Sequence, residues 1–365
     1  MTQSLISIFI NTYNHAKYIE QAINSVIEQE FPATEMDVLV IDDGSTDDTF
    51  AIVQKFARES SPRVRCIRKE NGGQISTYNA ALPELRGQIV AFLDGDDWWA
   101  KGKLSAVAGA FEANPDIAAV GHGYYEVFDT KPPHEMLVPA KTFLLRSPEV
   151  EDVHFIHEAV FLLGTSRLAV RRRVLDRVGP LPREAVFFDT PVFNLALALG
   201  GALILDRPLC YYRRHAENLW SPARMNEAAR RRYFERIGFL LDYIAKRLAE
   251  VGVSQNAIDA LNKVSRIEYD RLKSQFSENT ARWSTALAEW RRFRAYYQRP
   301  SFGYLLFECA VCAAALALPP RSFDRVREWY SQNDLRRFRE FLGKPKPKIA
   351  PAFFQRRPVP SEFSR

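Results

Sequence analysis

The chain has 365 residues, of which 47% are hydrophobic and 12% aromatic, and this composition excludes a disordered or fibrous protein and leaves room for one large domain plus a second element. Its net charge of +6 suits an anionic ligand or surface, although charge alone does not separate nucleotides, nucleic acid and lipid head groups. Cys309 and Cys312 form one CxxC motif, and no second such pair accompanies it. We therefore expect reduced thiols in a cytoplasmic protein rather than a zinc site.

The N-terminal part alternates between strand-like and helix-like patterns. Short apolar runs rich in β-branched residues predict strands at Leu5–Ile10, Val38–Ile41, Val64–Ile67 and Ile89–Leu93. Helical apolar faces occur at residues 19–27 and 52–56, and a later helix ends at Asn114-Pro115. Strands that are apolar on both faces and alternate with helices predict an α/β layer with a mainly parallel sheet. In such sheets, ligands bind beyond the carboxyl ends of the strands.

Polar clusters follow the predicted strands directly: NTYNH at 11–15, DDGSTDD at 42–48, RKENGGQ at 68–74 and DGDDWW at 94–99. The last cluster places Asp94, Asp96 and Asp97 so close together that they repel one another unless a cation lies among them. Carboxylates without a neighbouring Cys and His set suit Mg²⁺ or Mn²⁺. The glycine-rich loops that cradle phosphates are missing, which predicts a nucleotide held mainly through the metal. For Asp47 and Asp48 we expect only a place at a helix N-terminus.

Four motifs in this order, INTYN, VIDDGSTDDT, ENGGQ…NAAL and FLDGDDWW, resemble the family 2 glycosyltransferases, which have the GT-A fold. The match is strong from about Leu5 to Trp99 and thinner to about Leu219. The resemblance implies an α/β fold with a Rossmann-like, mainly parallel sheet sandwiched by helices. It also implies a sugar donor of the nucleotide-diphospho-sugar class. A helical C-terminal extension follows from the amphipathic pattern after residue 220.

At the nucleoside end, the resemblance assigns the base and ribose, usually of uridine, to residues that follow the first two strands: Thr12, Tyr13, Asn14, Asp42 and Asp43. Thr12 and Tyr13 would flank the base, and Asp43 would accept a hydrogen bond from a uracil N–H. Asp42 has a second interpretation, because an aspartate at this place can simply open a turn.

The resemblance further assigns Gly73, Gln74, Asp94 and Asp96 to the donor nucleotide, although Gly73 also suits a simple turn. Asp96 would face the ribose and share the metal, Mn²⁺ or Mg²⁺, with Asp97, while Asp94 supports both. A cation spread across the diphosphate stabilises the charge that develops on the leaving UDP.

In the second half, His215 follows the last core strand and matches a histidine that helps to bind the metal in many relatives. Arg213 and Arg214 would meet the diphosphate, with solvated loop charges as the alternative. Trp98 would stack on a sugar or pack beneath the site. The turn at Gly164 would approach the donor from the acceptor side.

The resemblance also implies a general base, an aspartate at the start of a helix in the second half, and the matching residue is Asp189 in AVFFDTPVFNLALALGG. Neighbouring Phe187 and Phe188 would raise its pKa toward that of a useful base. The alternative is a helix N-cap, for which aspartate is also suited. The chain departs from the family pattern at Phe188, where the family often has glutamate, and at Tyr78, where many members have arginine.

Four segments are predicted: a catalytic domain at 1–220 (nucleotide-sugar half 1–120, acceptor half 121–220), a helical extension at 221–300, an apolar then basic segment at 301–342, and a proline-rich, disordered tail at 343–365. The apolar run Gly303–Leu318 is shorter than the roughly 20 residues that span a bilayer. It is either a buried helix or a helix at the membrane interface, and the arginines that follow favour an anionic membrane surface on the cytoplasmic side.

These observations predict an inverting, metal-dependent glycosyltransferase that acts on a glycan or lipid-linked saccharide acceptor, without a nucleic-acid partner. They leave the sugar, the linkage and the oligomeric state open. A sugar-phosphate nucleotidyltransferase is the first alternative, but it needs a glycine-rich basic loop where this chain has NTYNHAK. A catalytically inactive nucleotide-sugar-binding scaffold is the second, and turnover in vitro would exclude it.

Overall fold

The protein is built around one mixed β-sheet. The computed structural model describes residues 5–60, 63–128, 135–146, 162–215, 227–274, 281–296, 302–319, 322–323, 326 and 354–358. The strands in these ranges are β1 (Ile6–Thr12), β2 (Met36–Asp42), β3 (Val64–Arg68), β4 (Ile89–Asp94), β5 (Trp98–Trp99), β6 (Ala119–Phe128), β7 (Glu135–Pro139), β8 (Phe143–Leu145), β9 (Ala169–Arg171), β10 (Ala202–Arg214) and β11 (Phe354–Pro358). They lie in the order β11-β7-β6-β9-β4-β1-β2-β3, and β10 pairs with β5, β6 and β8.

The first four strands form the parallel half that the sequence predicts. β1 lies between β2 and β4, and β3 continues the sheet beyond β2. The register pairs Thr12 with Asp42 and Asn11 with Asp94, at the carboxyl ends of the strands. Because parallel strands in register end at the same edge, the predicted polar clusters lie side by side there.

The helices in the described ranges are α1 (Ile19–Ile27), α2 (Thr49–Glu59), α3 (Gln74–Ala81), α4 (Lys103–Ala113), α5 (Arg172–Val178), α6 (Asp189–Leu199), α7 (Glu227–Glu250), α8 (Gln255–Ser274), α9 (Ala281–Tyr296) and α10 (Phe302–Ala317). The predicted apolar face of α1 is buried at Ile19, Ile23 and Val26. As expected, Asp47 lies at a helix N-terminus, where its carboxylate accepts a hydrogen bond from the Thr49 amide at 3.0 Å.

Strand β10 connects the two halves of the catalytic region. It runs parallel to β6 and antiparallel to the short β5, so that Tyr211 lies opposite Trp98. Since β5 comes directly after the loop of residues 94–97, this pairing places Arg213 beside that loop, where its amide reaches Asp97. A residue from the second half of the catalytic region thereby contacts the acidic loop of the first half.

The C-terminal helices pack in two groups. α7 buries Leu240, Ile244 and Leu248 in the same hydrophobic core as the sheet, so the predicted extension begins as part of the catalytic body. α9 and α10 instead share a small separate cluster around Ala286 and Ala315. The division at about residue 220 stays a prediction, because the core itself does not stop there.

The predicted apolar run at Gly303–Leu318 forms α10, which buries Tyr304 and Glu308. No helix among the described residues combines the length and the apolarity needed to cross a membrane. Most of the basic part of segment 301–342 lies outside the described residues. The disorder predicted for the tail is wrong for residues 354–358, which form β11 and pair with β7, because this edge strand offers free backbone groups.

Gly87 lies where backbone atoms leave no space for a side chain. A Cβ there would be 2.4 Å from the amide nitrogen of Ser7 and 2.7 Å from the carbonyl oxygens of Leu5 and Ile89. Because these backbone atoms must shift, we expect Gly87→Ala to lower the free energy of unfolding by about 1–3 kcal/mol.

The matched control for Gly87→Ala is Gly109→Ala on the exposed side of α4, where a Cβ meets no atom within 4 Å. Alanine suits a helix interior better than glycine, so this variant should gain about 0.5–1 kcal/mol. Urea unfolding followed by circular dichroism measures both values. Equal stability of Gly87→Ala and wild type would contradict the close approach at the start of β4.

Candidate active site

Asp94 lies at the centre of the crevice at the strand ends. Its Oδ1 accepts hydrogen bonds from Asn11 Nδ2 at 2.6 Å and from Gln74 Nε2 at 3.4 Å, so β1, α3 and β4 meet at this carboxylate. Burial, together with the negative charges of Asp96 and Asp97, raises the pKa of Asp94 well above its ordinary value. The three predicted acids therefore form one electrostatic cluster, and the predicted Gln74 reaches it.

Asp96 faces His215, as the predicted sharing of a metal requires. The Oδ2 atom of Asp96 lies 2.9 Å from Nε2 of His215, whose ring rests against Tyr18 at a centroid distance of 5.2 Å. Burial by itself raises the pKa of Asp96, but the hydrogen bond with His215 and the charges of His15 and His215 bring it below its ordinary value. An ionised carboxylate beside an imidazole nitrogen offers two ligands to a divalent cation.

Asp97 is directed into the protein rather than into the crevice. It is only 2% exposed, and its Oδ1 accepts a hydrogen bond from the Arg213 amide at 2.8 Å. Burial and the charge of Asp96 raise the pKa of Asp97 to about 7, while the hydrogen bond from the Arg213 amide acts in the opposite direction. The predicted share of Asp97 in the metal stays a prediction, and the carboxylate that lies beside His215 is that of Asp96.

Arg213, predicted at the diphosphate, supports the acidic loop from within. Its Nε donates to the carbonyl oxygen of Asp96 at 2.8 Å, and a terminal nitrogen donates to Gln21 Oε1 at 2.6 Å. The guanidinium carbon lies 4.5 Å from the ring centroids of both Tyr18 and Trp98. These contacts fix the side chain of Arg213 beneath the loop, where a cation–π arrangement stabilises it.

Two other residues predicted for the diphosphate or acceptor side contact neighbouring strands. Arg214 forms an ion pair with Glu126 at 2.6 Å. Trp98 stacks on Tyr211 at 4.8 Å, and Tyr211 stacks on Tyr125 at 4.6 Å, which gives a row of rings across β5, β10 and β6. Since Tyr211 and the guanidinium of Arg213 both lie over the ring, the interpretation of Trp98 as packing beneath the site is the better one.

Asp43 holds the glycine turn before α3. Its carboxylate accepts hydrogen bonds from the amides of Gly72 at 3.1 Å and Gly73 at 2.7 Å, and from Lys69 Nζ at 2.7 Å. Gly73 has a φ of +80°, which glycine adopts without strain. The predicted contact of Asp43 with a uracil N–H therefore involves oxygens that already bind three protein donors.

The loops after β1 and β2 are linked to each other. The Asn14 amide donates to Ser45 Oγ at 2.9 Å, and the Ser45 amide donates to Asp42 Oδ2 at 3.1 Å. Asp42 is fully buried, and its hydrogen bond with the Ser45 amide agrees with the interpretation that it opens a turn. Of the two residues predicted to flank the base, Thr12 is buried and Tyr13 is 43% exposed, so Tyr13 is the one that presents its ring to solvent.

Asp189, the predicted base, is the first residue of α6. Its Oδ2 accepts hydrogen bonds from both the amide and the hydroxyl of Thr165, each at 3.0 Å. The alternative role as helix cap is wrong, because Phe188 occupies the cap position. Burial raises the pKa of Asp189, which moves it toward the range of a general base. Its charge also contributes to the raised pKa of Asp94, so the two carboxylates share one crevice.

The two positions that depart from the expected pattern contact each other. The ring of Tyr78 stacks on Phe188 at a centroid distance of 5.2 Å and an interplanar angle of 13°. Phe188 also packs against Phe9 and Phe92, and all four rings are buried. An apolar aromatic cluster therefore lies below Asp189, and its stacking explains why Tyr78 and Phe188 occur together.

Sequence reasoning missed Ser166, which lies between the base and the acids. Its hydroxyl accepts a hydrogen bond from the Asp94 amide at 3.0 Å. Its carbonyl oxygen accepts hydrogen bonds from Lys103 Nζ at 2.7 Å and from Trp99 Nε1 at 3.2 Å. Lys103 has no exposed surface. Nothing in the sequence marks either Ser166 or Lys103, because their partners come from distant elements.

Gly164 makes room for the half-buried side chain of Arg167. A Cβ at Gly164 would lie 2.2 Å from the guanidinium of Arg167. The guanidinium carbon of Arg167 lies 4.6 Å and 5.1 Å from the ring centroids of Tyr124 and Tyr212. The predicted approach of the Gly164 turn to the donor stays a prediction, while its observed contact is with Arg167.

Comparison with known proteins shows which protein family has this architecture. Residues 7–179 match the model of glycosyl transferase family 2. This part of the chain is therefore a glycosyltransferase domain of family 2. An uncharacterized glycosyltransferase of Nostoc sp. is 30% identical over 220 residues, which are 58% of this chain and 66% of the relative. TarS of Staphylococcus aureus, a poly(ribitol-phosphate) beta-N-acetylglucosaminyltransferase, is 33% identical over 219 residues, 59% of this chain and 37% of TarS. The predicted family and enzyme class are confirmed.

Solved structures share the fold at low sequence identity. TarS 1–349 in complex with UDP-GlcNAc matches with a TM-score of 0.57 at 20% identity, covering 90% of this chain and 92% of that chain. The mannosyltransferase PcManGT from Pyrobaculum calidifontis, in complex with GDP-Man and Mn²⁺, matches with a TM-score of 0.51 at 18% identity, covering 91% and 89%. The predicted GT-A fold with a helical C-terminal region is confirmed by these similarities.

Lys103 gives the folded protein a distinctive dependence on pH. Burial lowers the pKa of Lys103 from 10.5 to about 7. Between these values the unfolded chain binds one more proton at this residue than the folded chain, so the stability of the wild type rises with pH. We expect Lys103→Met to lose this pH-dependent contribution to stability. The stability of the wild type relative to the variant should therefore rise by up to about 1.4 kcal/mol per pH unit.

Urea unfolding at several pH values between about 7 and 10 measures this difference for wild type and Lys103→Met. Lys101→Met is the matched control, because Lys101 is exposed and only two residues away. A stability difference between wild type and Lys103→Met that stays constant with pH would show that Lys103 is not held in this environment.

Proposed function

We propose that this protein is an inverting glycosyltransferase that moves a sugar from a nucleotide-diphospho-sugar, most readily a UDP-sugar, to a hydroxyl group of a glycan or lipid-linked saccharide. Its donor binding depends on Mn²⁺ or Mg²⁺, and its product belongs to cell-envelope polysaccharide. The observation that carries the proposal is the meeting of Asp94, Asp96, His215 and Asp189 at one crevice at the strand ends.

Asp96 and His215 fit a divalent cation that is shared with the donor. Their contact at 2.9 Å joins a carboxylate and an imidazole whose positions are fixed by the protein. Among the described residues, no three His, Cys, Asp or Glu side chains form a closed metal cluster. Mg²⁺ and Mn²⁺ suit such an incomplete set, because substrate phosphates commonly fill the other positions. When bound, the cation neutralises the charge that develops on the departing diphosphate.

Asp189 takes the proton of the acceptor hydroxyl. The acceptor oxygen bonds to the anomeric carbon while the bond from that carbon to the diphosphate oxygen breaks, and attack opposite the leaving group inverts the configuration. The raised pKa of the buried Asp189 carboxylate suits this proton transfer near neutral pH. Asp94 and Gln74 lie on the donor side of the same crevice.

The comparisons support the donor and the product class. TarS is bound to UDP-GlcNAc in the similar structure, and its name describes transfer to a poly(ribitol-phosphate) polymer. PcManGT is bound to GDP-Man and Mn²⁺, which supports the metal and makes a guanine nucleotide the competing donor class. The nucleotidyltransferase alternative receives no support, since the matching family transfers sugars.

Metal-dependent UDP binding tests the donor site. We expect Mn²⁺ to strengthen UDP binding to the wild type at least tenfold, because a cation held by Asp96 and His215 would neutralise charge on the diphosphate. Asp96→Asn should abolish this gain, whereas Asp48→Asn, at an exposed aspartate before α2, should retain it. Isothermal titration with and without Mn²⁺ gives the affinities.

Equal UDP affinity of the wild type with and without metal would contradict the proposed site. Hydrolysis of a panel of nucleotide sugars, measured on the same samples, separates an enzyme from an inactive scaffold. Metal-dependent UDP binding without turnover of any donor or acceptor would favour the scaffold.

For the predicted membrane surface, the C-terminal helices supply exposed apolar side chains, which we call the apolar helix surface: Trp283, Leu287 and Trp290 of α9, and Phe302 and Leu306 of α10. Trp283 is 75% and Phe302 is 76% exposed. The three residues of α9 lie on one side of the helix, since their spacing follows its period. Large apolar side chains at this exposure mark an interaction surface rather than a core.

We propose that the partner of the apolar helix surface is an anionic lipid bilayer. Exposed Arg282, Arg291 and Arg294 accompany the tryptophans on α9, and this combination suits the interface of a negatively charged membrane. A lipid-linked acceptor would be presented at the same surface. The membrane attachment would then be peripheral.

Co-sedimentation with vesicles of anionic or neutral lipid tests this attachment. We expect binding to anionic vesicles that weakens with salt, and a loss of about tenfold or more for the double variant Trp283→Ala/Phe302→Ala. Phe128→Ala, at an exposed phenylalanine of β6, is the matched control and should bind as the wild type does. No binding of the wild type to anionic vesicles would contradict the proposal and leave α10 as a packing helix only.

A further inference from the structure

Thr165 and Ser166, adjacent residues of one short turn, contact the proposed base and the acidic loop of residues 94–97. The amide and hydroxyl of Thr165 both donate to Oδ2 of Asp189, each at 3.0 Å. The hydroxyl of Ser166 accepts a hydrogen bond from the Asp94 amide at 3.0 Å. The base candidate and the acidic loop are thus joined through a single peptide unit.

The turn is anchored from the protein interior. Thr165 is 5% and Ser166 is 1% exposed. The carbonyl oxygen of Ser166 accepts hydrogen bonds from Lys103 Nζ and Trp99 Nε1, and Lys103 Nζ lies 3.9 Å from the ring centroid of Trp99. The donors and their acceptor are all buried, so water does not compete for these hydrogen bonds. The turn therefore has little freedom to move relative to the sheet.

We infer that Thr165 is a positioning residue for the carboxylate of Asp189, and that Ser166 extends the same alignment to the loop of Asp94 and Asp97. The inference rests on the proposed role of Asp189 as general base. Both Thr165 donors occupy Oδ2, which directs Oδ1 to the acceptor hydroxyl; Oδ1 otherwise has the weaker contact with Thr190 at 3.2 Å. Fixing the carboxylate in this orientation raises the fraction of productive geometries.

The hydroxyl of Thr165 also stabilises the ionised form of Asp189, because it donates to the charged carboxylate. Thr165→Val keeps the shape and the amide donor but removes this hydroxyl. We expect kcat to fall about 10- to 100-fold with the donor KM unchanged. The acidic limb of the pH profile of kcat should move to higher pH, since a carboxylate without this donor is protonated more easily. Thr165→Ser should restore both values.

Ser166→Ala tests the other half of the link. It leaves the Asp94 amide without its acceptor, so we expect a higher KM for the metal-bound donor and a smaller change in the pH profile. Thr142→Val is the matched control, because the Thr142 hydroxyl donates to Asp206 Oδ1 at 2.8 Å on the exposed side of the sheet. This control should behave as the wild type.

The same series includes Asp189→Asn, so that two failures can be told apart. Turnover of Asp189→Asn at the wild-type rate overturns the proposed base and the inference with it. An inactive Asp189→Asn together with a Thr165→Val variant that keeps the wild-type rate and acidic limb overturns the positioning inference alone. If Thr165→Val does not fold, Thr165→Cys replaces it, since a thiol is a weak donor of similar size and the same fall in kcat is expected.

Discussion

Four aspartate carboxylates at one edge of the sheet impose the constraint on which the rest of the structure depends. Burial removes the water that would screen them, and the charges of Asp96, Asp97 and Asp189 all raise the pKa of Asp94. Like charges persist in such a place only when cations or hydrogen-bond donors are fixed beside them. The protein meets this requirement with groups from both halves. Asn11 and Gln74 donate to Asp94, and Arg213 and His215 contact Asp97 and Asp96, so neither half forms the site alone. His215 is the clearest example, because it comes from the end of β10.

The pairing of β5 with β10 delivers most of these compensating groups. It places the amide of Arg213 on Asp97, its guanidinium on the carbonyl oxygen of Asp96, and His215 on the Asp96 carboxylate. The turn at residues 165–167 acts from the other side, where Lys103 holds it in place. The acids are thus held in a fixed arrangement before a donor arrives, which is the electrostatic preorganisation that transfer of a charged leaving group needs.

The sequence predicts the strands, their parallel order and the polar clusters at their ends, because apolar runs and turn residues are local signals. It does not predict which carboxylate faces the crevice, since Asp96 and Asp97 are neighbours and their directions depend on β10. It does not indicate Ser166 either, because the partners of Ser166 lie far away in the chain. In the sequence, Tyr78 and Phe188 are two separate departures from the family pattern, although in the fold their rings stack on each other. Side-chain direction and long-range contact are properties of the assembled sheet, and no short motif contains them.

We propose that Asp96 and His215 hold the cation that binds the diphosphate of the donor. Crystals grown with UDP and Mn²⁺ test this directly, because an anomalous difference map locates manganese independently of the rest of the structure. We expect a manganese peak coordinated by Asp96 and His215, with the diphosphate on the same ion and Asp189 across the crevice. A peak coordinated by Asp97 without Asp96, or UDP bound away from the ends of β1, β2 and β4, would contradict it.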